Sequence, residues 1–352
     1  MTASQPLLEL VRGSVTEATH YGSIAVVDSN GHLLYSHGDP HTVAFLRSSA
    51  KPFQAIPFVE QGGVEHYGYT QAELALSCAS HETSQMHLDT VQAMQKKIDV
   101  GEQYLQCGPH LPGDAAKLRE VIKNDIRLTA NFNNCSGKHT SMLAFAKMRG
   151  LPLENYLTFD HPIQLDIRRT LAEMCMMNEE DIELGIDGCS APNFALPLFN
   201  AALGMARMCD PRELHQTRAL ACQKITSAMS AHSEMVSNYG EFDCEVMRVG
   251  AGNIITKRGA EGFQIIGLMP GVIRDRGVGI AFKVTDGDKS SMNNNLETGA
   301  RVRPSVSLEI LRQLGALNET QLTQLAKFGP EKTLKNYAGL VTGKSRPVFN
   351  LI

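Results

Sequence analysis

Asn253-Ile254-Ile255-Thr256-Lys257, Gly262-Phe263-Gln264-Ile265-Ile266-Gly267 and Gly279-Ile280-Ala281-Phe282-Lys283-Val284 are apolar runs bounded by glycine. Their length and β-branched content predict strands, and short glycine-bounded connections predict antiparallel pairing. A matching signal lies near the other end of the chain. Ser23-Ile24-Ala25-Val26-Val27 and His32-Leu33-Leu34-Tyr35 flank Asp28-Ser29-Asn30-Gly31, an Asn-Gly hairpin signature. Between the two strand regions the spacing is helical. Thr70-x-x-Glu73 fits a capping box before Leu74-Ala75-Leu76. Apolar residues recur with helical period from Ser84 to about Val100. Asp160 and Pro162 start a helix through Leu171 and Met174. Further helices are expected from Phe194-Ala195-Leu196, over 211–231, and again over 303–315 and 319–327. The fold class that follows is α+β in one unit, 1–352. An antiparallel sheet draws on about 8–40 and 240–290, and a mainly helical region fills about 50–235.

With 352 residues, 43% hydrophobic, 20% charged and a net charge of -4, the composition is that of a globular protein. It carries no basic excess for a nucleic acid. No apolar run is long enough to cross a membrane as a helix. Met1-Thr2-Ala3-Ser4-Gln5-Pro6 lacks the basic and apolar parts of a signal peptide, so a cytoplasmic location is expected. The 8 cysteines show no C-x-x-C spacing and no disulfide framework. Cys175, Cys209, Cys222 and Cys244 read as small packed hydrophobes.

Several polar constellations interrupt this apolar background. Ser48-x-x-Lys51 places a hydroxyl and an amine one helical turn apart, so a neutral Lys51 could take the proton of Ser48 as it attacks a carbonyl. The same spacing also fits an ordinary helix start, yet it is the first motif of penicillin-recognising serine enzymes. Lys257-Arg258-Gly259-Ala260 closes a strand as their third motif does. The N–H groups of Ser48 and Ala260 would then form an oxyanion hole. Ser80-His81-Glu82 is either a second hydroxyl for a proton relay or a helix end. Asn133-Asn134-Cys135-Ser136-Gly137-Lys138-His139 precedes a buried run, and a helix starting near Cys135 would aim free N–H groups at an anion. Ile186-Asp187-Gly188-Cys189-Ser190-Ala191-Pro192-Asn193 has a similar polar character. Cys135 and Cys189 are open to three readings: packed cysteines, zinc ligands with a further nitrogen or carboxylate, or a Cys135–His139 nucleophile pair.

Arg47-Ser48-Ser49-Ala50-Lys51-Pro52, Cys78-Ala79-Ser80-His81, Cys107-Gly108-Pro109-His110, the Asn133–His139 segment, Asp187-Gly188-Cys189-Ser190-Ala191-Pro192 and Lys257-Arg258-Gly259-Ala260-Glu261-Gly262 occur in this order. Together they resemble the rhizobial-type L-asparaginases, the class 3 or asparaginase II family, over nearly the whole chain. The resemblance implies hydrolysis of L-asparagine to L-aspartate and ammonia, a homodimer, and a fold similar to serine β-lactamases, penicillin-binding proteins and serine glutaminases. It also implies that Ser48 and Lys51 form one catalytic pair, and Ser80 with a late lysine a second. Lys257 fits that late lysine through its Lys-x-Gly-Ala context; Lys283 is the other candidate. One zinc ion per chain, held by Cys135, Lys138 and Cys189 beside Asp187, is implied as well. The metal would place Lys138, Asp187, Arg47 and His139 against the substrate's α-amino and α-carboxylate groups. The chain departs from the family pattern at Glu82-Thr83, Leu111 and Phe132. Two rivals remain at this stage, a β-lactam-recognising or other serine amidohydrolase on the same scaffold and a non-catalytic zinc- or amino-acid-binding protein.

Overall fold

The computed structural model describes residues 4–288 and 301–352. Eleven strands form two sheets among these residues: β1 (Gln5–Arg12), β2 (Val15–Asp28), β3 (Leu33–His37), β4 (Val43–Phe45), β5 (Glu183–Ile186), β6 (Pro192–Pro197), β7 (Ile254–Arg258), β8 (Phe263–Leu268), β9 (Val278–Val284), β10 (Lys332–Lys335) and β11 (Val341–Pro347). The large sheet runs β10-β11-β1-β2-β9-β8-β7, with β3 paired to β2. Each pair is antiparallel, as the glycine-bounded runs predict. The α+β class, with strands from both ends of the chain around a helical middle, is what the structure shows.

Alternation within the central strands divides the core. On β2, Ile24 and Val26 join one apolar cluster while Ala25 and Val27 join the other. Ile280 and Phe282 of β9 face the first of these and Ala281 the second. With a side-chain period of two, an apolar run buries both faces only if a layer covers each. The Arg303–Gln313 helix covers one face. On the other, the Leu198–Cys209 helix lies so close to β9 that a Cβ on Gly279 would stand 1.8 Å from the Ala202 carbonyl oxygen. The capping box at Thr70 is present, with Glu73 N–H donating to Thr70 Oγ1 at 3.3 Å.

The sequence expectation fails in three places. Phe194-Ala195-Leu196 does not start a helix; it lies in β6, between β4 and β5 in a three-stranded sheet. That six-residue run is buried on both sides, and its length, closed by Pro192 and Pro197, suits a strand; the helix begins at Leu198. The expected helix over 211–231 is a Pro211–Glu213 turn followed by a Gln216–Ala231 helix. Finally, β10 and β11 extend the sheet well beyond 290, onto β1.

Candidate active site

The Ser48 turn is held from two sides. Arg47–Ala50 is a 3-10 turn leading into the Lys51–Glu60 helix, and Arg47 adopts a left-handed φ of 52°. Asn193, at the start of β6, fixes that unusual backbone by accepting from Arg47 N–H at 3.1 Å. From the other side comes the end of β7. Ser49 Oγ donates to the Lys257 carbonyl at 2.7 Å. A Cβ on Gly259 would sit 2.6 Å from the Leu46 carbonyl oxygen, so the glycine of Lys-x-Gly is what lets the strand approach the turn.

Lys51, Ser80 and Lys257 meet in the interior. Lys51 Nζ and Lys257 Nζ each lie 2.9 Å from Ser80 Oγ. Lys51 also bonds the Ala79 carbonyl, and Lys257 the Arg258 carbonyl at 3.1 Å. The three side chains are 1%, 0% and 3% exposed for Lys51, Lys257 and Ser80. Burial, with the charge of Lys51 next in weight, holds the Lys257 amine well below its ordinary range. Ser48 is half-buried at the head of the same turn. Lys283 lies elsewhere, with Nζ donating to the Glu261 carbonyl at 2.7 Å.

Ser80 sits on an extended segment after the Gln71–Ser77 helix. Its N–H donates to the Val236 carbonyl at 3.0 Å, and Glu82 N–H to the Ser237 carbonyl at 3.1 Å. His81 ties this segment to the Asn133–His139 stretch. Its N–H donates to the Asn134 carbonyl at 3.2 Å. Its Nδ1 accepts from Thr83 N–H, so Nε2 carries the proton and donates to Ser136 Oγ at 2.9 Å. Burial and the stacked His87 keep this imidazole neutral, with its pKa well below the usual value.

The Ser136–Met148 helix begins one residue after Cys135. Gly137 admits it against the Gln71–Ser77 helix, because a Cβ there would meet the Leu76 carbonyl oxygen at 2.5 Å. Asn133 closes the turn by donating to the Cys107 carbonyl at 2.8 Å and accepting from Cys135 N–H at 2.9 Å. Cys135, Cys189 and Lys138 come together here, with Lys138 Nζ 3.0 Å from Cys189 Sγ. A hydrogen bond from Cys189 depresses the Cys135 thiol well below its ordinary pKa, and the same bond raises that of Cys189. Burial opposes the charge on Lys138, but the two sulfurs outweigh it and push its pKa up. Among the described residues no group of three His, Cys, Asp or Glu side chains is gathered for a metal. The donor set at this place is instead two thiols and an amine. Converging sulfur donors of this kind fit a soft divalent ion such as zinc.

Asp187 is drawn to Arg47 rather than to the sulfurs, with Arg47 Nε 2.7 Å from Asp187 Oδ1. His139 is buried, bonded through Nδ1 to Tyr156 Oη at 2.7 Å, while its Nε2 has no hydrogen-bond partner among the described residues. Burial, then Lys138, pushes its pKa down to about 4. Cys175, Cys209, Cys222 and Cys244 are buried, and burial raises each thiol's pKa, consistent with packing.

Sequence reasoning missed the charged group behind Ser80. Arg258, next to Lys257, faces Glu82 and Glu241, and its N–H donates to Asp243 Oδ2 at 2.7 Å. Only the adjacency of Arg258 to the Lys-x-Gly motif offered a signal.

A family profile described as L-asparaginase II matches residues 8–347. Comparison with curated proteins gives no significant match. Among solved structures, the chain is similar to a Bacillus subtilis glutaminase in covalent complex with 5-oxo-L-norleucine, at 12% identity over 83% of this chain and 87% of that one, with a TM-score of 0.37. A probable glutaminase from Bacillus subtilis complexed with 6-diazo-5-oxo-L-norleucine gives 12%, 83% and 84%, with a TM-score of 0.38. A profile match from one end of the folded unit to the other decides the matter: the chain belongs to the L-asparaginase II family and is an amidohydrolase.

Proposed function

We propose that this amidohydrolase converts L-asparagine to L-aspartate and ammonia through an acyl-enzyme on Ser48. The observation that carries the reading is the meeting of Lys51, three residues along the chain from Ser48, with Lys257 at one hydroxyl, Ser80 Oγ, each at 2.9 Å. Ser48 is the more exposed of the two serines, so it is the one a substrate reaches. Ser48 Oγ bonds to the side-chain amide carbon; Lys51 passes a proton through Ser80 to the neutral Lys257 and takes the proton of Ser48 in its place. The N–H groups of Ser48 and Ala260 face the oxyanion. The C–N bond then breaks, and ammonia leaves with a proton relayed from Lys257 through Ser80. Water attacks the ester, the proton path runs in reverse, and aspartate departs. Arg47, Lys138, His139 and Asp187 grip the substrate's α-amino and α-carboxylate groups. Ammonia release from asparagine, with glutamine as control, tests the substrate. Ser48→Ala is expected to abolish it and the acyl-enzyme seen by intact-protein mass; near-normal turnover in that variant removes Ser48 from the role.

A zinc ion held by Cys135, Lys138 and Cys189 is part of the proposal. When bound, it supplies fixed positive charge and clamps these side chains in place. Lys138 must lose its proton to bind the metal, so binding strengthens as pH rises. Metal analysis should give about one zinc per chain, and chelation should weaken asparagine binding. Full affinity in a metal-free sample would remove the ion from this role. The reading also makes the protein a cytoplasmic homodimer, and light scattering at the mass of a single chain would contradict the dimer.

A further inference from the structure

We propose that Arg258 is a positioning residue of this site, one that grips the main chain at Ser80 while Lys257 holds the same residue's hydroxyl. The inference rests on the amidohydrolase reading. Two consecutive residues at the end of β7 take opposite ends of Ser80. Lys257 Nζ reaches Ser80 Oγ at 2.9 Å, and Arg258 Nη2 reaches the Ser80 carbonyl at 3.4 Å. The same guanidinium is paired with Glu82, two residues on, and through Nη1 with Glu241 at 3.3 Å. With Ser80 N–H on Val236 and the Ala79 carbonyl on Lys51, the backbone around the hydroxyl is bonded on every side. A hydroxyl that must move a proton between two amines needs that restraint, because proton transfer falls steeply with misplacement.

The guanidinium is suited to this work and an ammonium is not. A planar fork reaches two carboxylates and a carbonyl together; a point charge cannot. The anchor behind it is buried. Asp243, 1% exposed, accepts from Arg258 N–H and from Gln264 Nε2 at 2.9 Å. Gln264 Oε1 in turn accepts from Arg303 at 2.8 Å, and Arg303 pairs with Asp288 at 2.8 Å. The grip on Ser80 is therefore braced from across the sheet.

Charge supplies a second effect. Lys257 is faced by Lys51 and Arg258, which favour its neutral form, and by Asp243 and Cys135, which oppose it, with Cys78 close by. Arg258 is faced by Glu82, Glu241 and Asp243, with Arg303 behind, and Lys327 also acts on Glu241. Removing the guanidinium charge would leave the carboxylates to draw a proton onto Lys257.

Arg258→Lys and Arg258→Met test the proposal. Arg258→Lys keeps the charge and loses the fork; kcat is expected to fall about tenfold with KM little changed. Arg258→Met should in addition move the acid limb of the kcat/KM profile up by about one pH unit. NMR titration of isotope-labelled lysine, with the Lys257 signal identified by its loss in Lys257→Met, should show the same upward move without substrate. Wild-type kcat in Arg258→Lys, with an unmoved acid limb and an unmoved Lys257 titration in Arg258→Met, overturns the proposal. If Arg258→Met does not fold, kcat in Arg258→Lys decides alone. If the wild-type protein releases no ammonia from asparagine, the substrate reading fails, and the Lys257 titration still decides the role of Arg258.

Discussion

Ser80 Oγ carries one proton and faces two amines. If both amines were charged, two cations would share one buried oxygen, and at this distance their repulsion is large in a medium of low dielectric. Lys257 resolves this by giving up its proton: burial and Lys51 lower its pKa well below the ordinary value. The consequence for stability has a definite sign. The unfolded chain holds a proton on Lys257 up to about pH 10.4, while the folded chain releases it earlier. Between those two pKa values the unfolded state binds more protons, so this residue's contribution rises with pH and is a cost at neutrality. Lys257→Met is therefore expected to raise Tm by about 1–2 °C and to lower kcat by about 10³-fold. Calorimetry with an ammonia assay checks both, and a lower Tm would contradict the neutral-lysine reading. The meeting of Lys51, Ser80 and Lys257 was foreshadowed in the sequence, because short motifs carry these residues. Arg258, Glu82, Glu241 and Asp243 were not, because an ion cluster is assembled from segments whose charges look like ordinary surface charge until the chain is folded.

At the scale of elements, the site depends on a strand end fitting against a turn. Gly259 is the contact point, with the Leu46 carbonyl oxygen 2.6 Å from where a Cβ would stand. That oxygen is backbone and cannot rotate away, and Phe263 Cβ and Ser49 Oγ crowd the same place at 3.1 Å. Gly259→Ala is expected to push β7 from the Ser48 turn, cost about 10²-fold in kcat, and leave helix content by circular dichroism unchanged. Unchanged turnover would mean the two elements can separate without harm. The Lys-x-Gly spacing gave the position of this strand end, and the glycine runs gave β7 to β9. What the spacing could not give was β6. The periodicity of a short apolar run does not separate a buried strand from a buried helix, and the partners β4 and β5 that confirm the strand are remote in sequence.

On the scale of the whole molecule, the sheet is covered on both faces, and each central strand divides its side chains between two cores. Strands from both chain ends meet at the β2–β9 pair, which joins residues 22–28 to 278–284. That much was expected from the strand–helix–strand order. The further extension through β10 and β11 was not, since Lys332-Thr333-Leu334-Lys335 is too polar to stand out as a strand. The proposed active site gathers the 47–51 turn, the 79–82 segment, the start of the Ser136–Met148 helix and the end of β7.

One pairing in this sheet has a consequence outside catalysis. The sheet ends at β7 on one side and at β10 on the other. A terminal strand offers unpaired backbone groups on which another molecule's strand can add. At β10 the guard is charge, with Lys332 and Lys335 standing along a short strand. At β7 the guard is the Ser48 turn, whose Ser49 Oγ occupies the Lys257 carbonyl. The segment that carries the proposed nucleophile is thus also a stopper against strand-to-strand aggregation, and solubility and activity share the same few residues.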